Sequence, residues 1–193
     1  MGRREQMQNP ILNEFPHEFY TERLYIRMPM PDDGQLVYEA IEASKQELKK
    51  WLPFAQRDQS ADEVEANVRE AHAAFLKRED LRMHIFHRDT GTFIGATGLH
   101  RIDWEVPKFE IGYWIDTRET GNGYITEAVE GLVDFALKEL GANRVEIQCD
   151  VKNLKSRAIP ERLGLTLEGI HYKDSVAVDG DELRDTCVYA KVR

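Results

Sequence analysis

Apolar and polar residues alternate along residues 109–116. Phe109, Ile111, Tyr113 and Ile115 share one face, and Glu110, Gly112, Trp114 and Asp116 the other. A period of two predicts a strand. From Ile125 the spacing becomes helical: Ile125, Ala128, Val129, Leu132, Ala136 and Leu140 form one stripe, and Gly141 stands where a left-handed stop belongs. The same two periods recur elsewhere. Leu24 and Ile26 oppose Arg23, Tyr25 and Arg27 in a first strand ended by Pro29 and Pro31. Asp32 and Asp33 look like a helix start, with Leu36, Val37, Ala40 and Ile41 at helical spacing. Ser60-Ala-Asp-Glu63 is a capping box opening a second helix, with Val64, Val68, Ala71 and Phe75 inward. Residues 82–88 and 93–100 read as strands joined by the turn Asp89-Thr-Gly91.

Val145, Ile147, Cys149 and Val151 alternate with Arg144, Glu146, Gln148 and Asp150 in a further half-buried strand. A short helix follows, opened by Asn153 and Ser156, interrupted by Pro160 and closed by Gly164. Pro160 cannot donate a backbone bond, which frees the carbonyl near Ser156, a place for the serine hydroxyl to bind. Residues 165–193 read as two strands joined around Asp179-Gly180. The predicted order is β, α, α, β, β, β, α, β, α, β, β. Residues 1–17, polar and broken by Pro10 and Pro16, read as a loosely held arm before one domain over 18–193.

Composition narrows the class. The chain has 193 residues, 41% hydrophobic and 32% charged, as expected of one soluble globular domain. No apolar run reaches transmembrane length, and no signal-peptide core precedes the first strand. No membrane partner is expected. The formal net charge of -9 argues against direct binding of nucleic acid, and it favours a cationic substrate such as an amine. Two cysteines, Cys149 and Cys187, do not make a disulfide scaffold, so a reduced cytoplasmic setting is the simplest reading. Cys149 falls on an apolar face, which favours a packed thiol over a nucleophile.

The candidate chemistry lies in Arg118-Glu-Thr-Gly121-Asn-Gly123-Tyr-Ile. A glycine loop entering a helix leaves backbone N–H groups free at the positive end of a dipole, an arrangement that binds phosphate. It is not a Walker loop, and Thr126 occupies the third glycine of a dinucleotide fingerprint. His84 and His87, three apart on a strand, point to opposite faces and make a poor metal pair; no metal site is expected. Trp51 and Phe54 leave apolar bulk in a connection, either stapling two helices or walling a pocket.

The R-x-x-G-x-G spacing resembles the coenzyme A pyrophosphate loop of the GNAT acetyltransferases. Four more pieces resemble the RimJ/RimL-like branch, whose members acetylate ribosomal-protein N-termini. They are Thr21-Glu-Arg-Leu, Glu110-Ile-Gly-Tyr113-Trp-Ile, Gly123-Tyr-Ile-Thr126-Glu127-Ala, and Asn153-x-x-Ser156 through Pro160-Glu-Arg-Leu-Gly164. Many members carry a basic residue where this chain has Asn122. The resemblance implies an α/β fold: a mixed, mostly antiparallel sheet of about seven strands, splayed between the fourth and fifth and flanked by four helices. It implies acetyl-CoA as cosubstrate, held by Arg118, Glu119, Thr120, Gly121, Asn122, Gly123, Tyr124 and Ile125 at its pyrophosphate. The pantetheine arm would lie along Trp114 and Ile115, with Asn153 bonded to it and Ser156 near the sulfur.

The reaction implied is direct attack of a neutral amine on the thioester. Glu110 is the candidate base, directly or through water, with a solvated or paired carboxylate as the alternative. Ser156 would assist the leaving thiolate, or only cap its helix while Tyr172 serves that step. Trp51, Phe54, Tyr172 and Asp185 are the candidate acceptor-binding residues. An α-amine of pKa about 8 is neutral roughly one time in ten at pH 7, a lysine about once in 2,500. Nothing marks a strong base, so a protein N-terminal α-amine is favoured. A small-molecule amine acetyltransferase and a non-catalytic acetyl-CoA-binding module are the other readings. A homodimer is a candidate assembly that the sequence does not settle.

Overall fold

The structure, a computed structural model, describes residues 9–178, 180 and 182–193. Its strands are β1 (Glu18–Tyr20), β2 (Leu24–Arg27), β3 (Leu81–His87), β4 (Phe93–Asp103), β5 (Lys108–Ile115), β6 (Arg144–Asp150), β7 (Thr166–Val176) and β8 (Leu183–Val192). Its helices are α1 (Gly34–Leu48), α2 (Ala61–Lys77), α3 (Tyr124–Lys138) and α4 (Leu154–Arg162). One sheet runs β1-β2-β3-β4-β5-β6-β8-β7. Only the central β5–β6 pair is parallel among these neighbours. It holds at Lys108↔Arg144, Phe109↔Val145 and Glu110↔Glu146, after which the strands part. The splay falls at the fourth and fifth of the strands expected from sequence.

The sheet has eight strands rather than about seven. The addition, β1, is three residues long, too short for alternation to register. It pairs with β2, and Phe19 stacks on Phe135 of α3 at 5.1 Å. Phe15, within the expected arm, also packs, lying under Arg78 at 4.1 Å and against Phe75 and Trp104. Asp179, expected at the tip of the last hairpin, lies outside the described residues.

The sheet separates two apolar clusters. The larger takes Phe109 and Ile111 of β5, the α3 stripe, and Val145, Ile147 and Cys149 of β6. The smaller takes Val37, Ala40 and Ile41 of α1, Val64 and Val68 of α2, and Phe86 and Phe93 of the strands below. Trp114 packs toward this second cluster, as the alternation of β5 requires. The α2 capping box forms with both hydrogen bonds, Ser60 Oγ to the Glu63 N–H and Glu63 to the Ser60 N–H. At α1 the start is placed differently from the local rule. Asp33 occupies the cap position but its carboxylate makes no cap bond. It turns inward to Arg27, at 2.7 Å to each terminal nitrogen, and to His84 Nδ1 at 2.8 Å. A bidentate guanidinium outcompetes the helix's own N–H groups for this carboxylate, which also accepts the Met30 N–H at 2.9 Å. The strand β6 is more buried than half: Glu146 and Asp150 of its polar side are enclosed as well.

Candidate active site

The turn between β5 and α3 is a backbone device. The nearly inaccessible Asp116 carboxylate accepts from the Arg118 N–H at 2.9 Å and from Arg118 Nη2 at 2.5 Å, closing the turn from below. Gly121 and Gly123 have φ of +86° and +78°, where side chains are strained. Open space lies above Gly121, and a Cβ on Gly123 would meet only Arg23 Nη2, at 3.6 Å. Among the described residues no N–H from Gly121 to Thr126 reaches a backbone carbonyl; the first helical bond is Glu127 N–H to the Gly123 carbonyl at 3.1 Å. Unpaired donors at a helix start, facing open space, suit a pyrophosphate.

Arg23, from the β1–β2 connection, completes this end. Its Nε meets Glu127 Oε2 at 2.7 Å, its Nη1 donates to the Asn122 carbonyl at 3.0 Å, and its guanidinium covers Tyr124 at 4.8 Å. Thr21 Oγ1 donates to Glu127 Oε1 at 2.6 Å. The pieces Thr21-Glu-Arg-Leu and Gly123-Tyr-Ile-Thr126-Glu127-Ala are thus two halves of one contact. Arg23 thus brings a guanidinium, paired with Glu127, against the backbone of Asn122. Sequence reasoning did not single out Arg23, because a lone arginine on the polar face of a strand carries no local signal.

Beyond Glu110 the edge of β5 toward β6 has no strand partner, and the start of α4 lies across the gap. Asn153 is the α4 cap, its Oδ1 accepting from the Ser156 N–H at 3.1 Å. The carbonyl freed by Pro160 is that of Ser156, but it is not filled by the serine hydroxyl. The Tyr113 hydroxyl donates to it at 3.0 Å. The same phenol oxygen lies 3.1 Å from Ser156 Oγ; with its one proton committed to the carbonyl, it accepts from the serine. Burial raises the Tyr113 pKa, so the phenol stays protonated. Cys149 nearby is buried, with its thiol pushed up to about 11, chiefly by desolvation, and is a packed thiol as expected. Tyr113 was read from sequence only as an apolar-face residue; its partner is created by Pro160, far along the chain.

On the opposite face of β3–β5, a cavity of about 420 Å³ opens beneath the α1–α2 connection. Cross-strand rows make its floor. His84, Ala96 and Trp114 form one, Arg82, Gly98 and Gly112 the next, and His100 marks the third, whose paired Glu110 is not among the lining residues. The glycines leave room for the His100 ring: Cβ atoms would stand 2.9 Å from it at Gly98 and 3.0 Å from it at Gly112. His100 Nδ1 is 2.6 Å from Asp80 Oδ2. That bond turns Nε2 over Gly112, where a Cβ would be 3.1 Å away. Phe54 covers the cavity, its ring 6.1 Å from that of Trp114. Glu110 is mostly enclosed and bonded to Arg101 Nη1 at 2.8 Å. Desolvation raises its pKa, and the Arg101 charge opposes the rise.

The expected residues therefore divide. Residues 118–125, Trp114, Ile115, Asn153 and Ser156 gather at the two ends of the splay. Glu110 stands where the parallel pairing ends. Phe54 lines the cavity, whereas Trp51, Tyr172 and Asp185 do not. Tyr172 is 76% exposed on β7, and Asp185 accepts from the Lys173 N–H at 2.8 Å, pinning an irregular stretch of the β7–β8 pair. His84 bonds Asp33 whereas His87 meets the Tyr124 ring at 5.8 Å. Among the described residues no three His, Cys, Asp or Glu side chains are placed to hold a metal. No described helix is long and apolar enough to cross a membrane.

Residues 23–166 match the acetyltransferase (GNAT) domain family. YdaF of Bacillus subtilis (strain 168), provisionally named a ribosomal N-acetyltransferase, is 36% identical over 161 residues, 83% of this chain and 86% of that protein. The ribosomal-protein-serine acetyltransferase of Escherichia coli (strain K12) is 28% identical over 133 residues, 69% of this chain and 73% of that protein. RimL, a ribosomal L7/L12 alpha-N-protein acetyltransferase solved with coenzyme A, superposes with a TM-score of 0.82 at 21% identity, covering 92% of this chain and 97% of that one, which is a likeness of fold. With its glycine turn, parted central strands and cavity in one sheet, the chain belongs to the GNAT family of N-acetyltransferases, whose acetyl donor is acetyl-CoA.

Proposed function

We propose that this enzyme acetylates the N-terminal α-amine of a protein of the ribosomal type, in the cytoplasm. The observation that carries the reading is His100. Its imidazole is fixed on Asp80 with Nε2 turned into the cavity and over β5. It is the proton acceptor in this reading, ahead of Glu110, whose carboxylate is tied to Arg101. An α-amine needs only modest help, being neutral roughly one time in ten at pH 7. The likeness to YdaF and to the serine acetyltransferase supports a ribosomal-protein acceptor.

The chain's own groups have distinct tasks. Free N–H groups at 121–126, with Arg23, hold the pyrophosphate. The bare edge of β5 at 111–115 takes the pantetheine arm as an added strand would, with Asn153 beside it. The amine nitrogen forms a bond to the thioester carbon, His100 takes the ammonium proton, and the carbon–sulfur bond breaks. Ser156 gives a proton to the departing sulfur and regains one from water, while Tyr113, its own proton held on the Ser156 carbonyl, steadies the serine. A thiol of pKa about 8.5 leaves without much aid, so the serine supplies about 10²-fold.

A peptide with one free α-amine and one internal lysine tests the reading. Tandem mass spectrometry after incubation with acetyl-CoA should find the acetyl group on the α-amine. Acetylation at the lysine alone, or turnover confined to polyamines or aminoglycosides, overturns it. His100→Gln should lower kcat by about 10²-fold, and an unchanged rate removes His100 from the reaction.

A further inference from the structure

The charge inside the acceptor cavity runs against the charge of the chain. The protein has a formal net charge of -9, yet Arg57, Arg82, His84 and His100 line the cavity and, among the described residues, no Asp or Glu does. Three of these groups have carboxylates behind them. Arg57 meets Glu63 at 2.9 Å, His84 meets Asp33 at 2.8 Å, and His100 meets Asp80 at 2.6 Å. The Arg82 guanidinium has none within 4.0 Å among the described residues, although the backbone N–H of Arg82 donates to Asp80 Oδ1 at 3.1 Å. Its Nη1 donates to the Asn67 amide oxygen at 2.7 Å, while Asp80 and Glu70 act on it only from further away. Burial lowers its pKa, the mark of a guanidinium short of solvent. A half-buried guanidinium given one neutral acceptor has donors left for a planar anion.

We infer that the acceptor carries a carboxylate close to its reacting amine, and that Arg82 is the residue that selects it. The inference rests on the α-amine reading above and names the class of acceptor. Arg82, Gly98 and Gly112 occupy one cross-strand row. Arg82 therefore stands two strand spacings, roughly 10 Å, from the bare strand where the thioester is read. An extended chain advances about 3.4 Å per residue, so the carboxylate belongs to the second or third residue of an N-terminus. The two glycines leave the path between Arg82 and β5 bordered by the His100 ring, which lies close to both of them. An α-carboxylate of a free amino acid presents the same chemistry nearer to the amine.

The test compares amidated peptides beginning Ser-Glu and Ser-Ala-Glu with their Ser-Gln and Ser-Ala-Gln counterparts, and serine with serinamide. Thiol release gives kcat/KM for each. Wild-type protein should prefer the acidic peptides at least about tenfold, the scale of a charge-assisted bond. In Arg82→Gln the ratio should fall to about one; in Arg82→Lys part of it should remain. Circular dichroism and acetyl-CoA binding check that each variant is folded. Equal use of acidic and amide acceptors by wild type overturns the inference on its own, whether or not the variants fold, while leaving the α-amine reading standing. A preference that survives in folded Arg82→Gln overturns it too. If no peptide is acetylated, the protein-acceptor reading fails. In that case serine preferred over serinamide, with loss of the preference in Arg82→Gln, supports the carboxylate, and no preference overturns it.

Discussion

The glycine turn proposed to hold the donor and the cavity proposed to hold the acceptor are built by opposite means. The donor end is one continuous turn of backbone, from Asp116 through Gly123 into α3, whose contacts are N–H groups that any residue supplies. Distant residues only brace it: Arg23 and Thr21 are bonded to Glu127, and Ser44 Oγ accepts from the Thr117 N–H at 2.8 Å. The cavity is made of side chains from α1, the α1–α2 connection, α2, β3, β4 and β5. Its histidines are aimed by carboxylates elsewhere, Asp33 and Asp80. A backbone site tolerates change at most positions but not at its left-handed glycines. A side-chain site tolerates change in its turns but not in its buried pairs. The cosubstrate end of such an enzyme is constant in chemistry, whereas the acceptor end must differ with each acceptor.

Four substitutions break or sharpen this contrast. Asp33→Asn should have the largest effect. Burial works to raise the Asp33 pKa, but the bonds from Arg27, His84 and Met30 prevail and hold it below the usual carboxylate range. Removing the charge leaves Arg27 and His84 facing a neutral amide and should cost about 3 kcal/mol of stability by chemical denaturation. Because the folded pKa is depressed, the wild-type contribution is complete above the unfolded value near 4 and is lost as pH falls below it. A variant as stable as wild type at pH 7, with the same acid limb, would remove Asp33 as the anchor of α1.

Ser156→Ala should come next, lowering kcat by about 10²-fold with acetyl-CoA affinity nearly unchanged. Asn153 supplies the cap, so the melting temperature should hardly move. A wild-type kcat would sink the assignment, and a melting temperature several degrees lower would make the serine structural. Gly123→Val is third. Valine at φ of +78° is strained by roughly 1–2 kcal/mol, which the open loop will relieve by moving. Acetyl-CoA should bind about tenfold more weakly while circular dichroism stays unchanged, as about 1.4 kcal/mol of misplacement requires. Unaltered affinity in a folded protein would take the pyrophosphate away from this turn. Phe54→Ala is smallest, because that ring is 38% exposed. The acceptor KM should rise a few-fold, about 1 kcal/mol of lost apolar contact, with the acetyl-CoA KM constant; a parallel rise in both would deny Phe54 a wall of the acceptor cavity.

Much of this molecule was legible along the chain because its causes are local. Alternation in 109–116, the α3 stripe ending at Gly141, the Ser60–Glu63 capping box and the glycine turn each involve residues within a few positions of one another. Period, capping and φ preference decide such features before any distant contact forms. The splay also followed, through the resemblance carried by those same pieces. What the tertiary structure alone decided are pairings across long separations. Asp33 reads as a cap until Arg27 and His84 claim it. The carbonyl freed by Pro160 takes Tyr113 instead of its own serine. His100 becomes a base candidate only where Asp80 and two glycines place it, and Arg82 faces a cavity without a carboxylate although the chain as a whole is acidic. Local sequence determines the energy of a turn or a helix end. The partner of a buried polar group depends on which strands lie side by side, and that choice is made by the burial of the whole sheet.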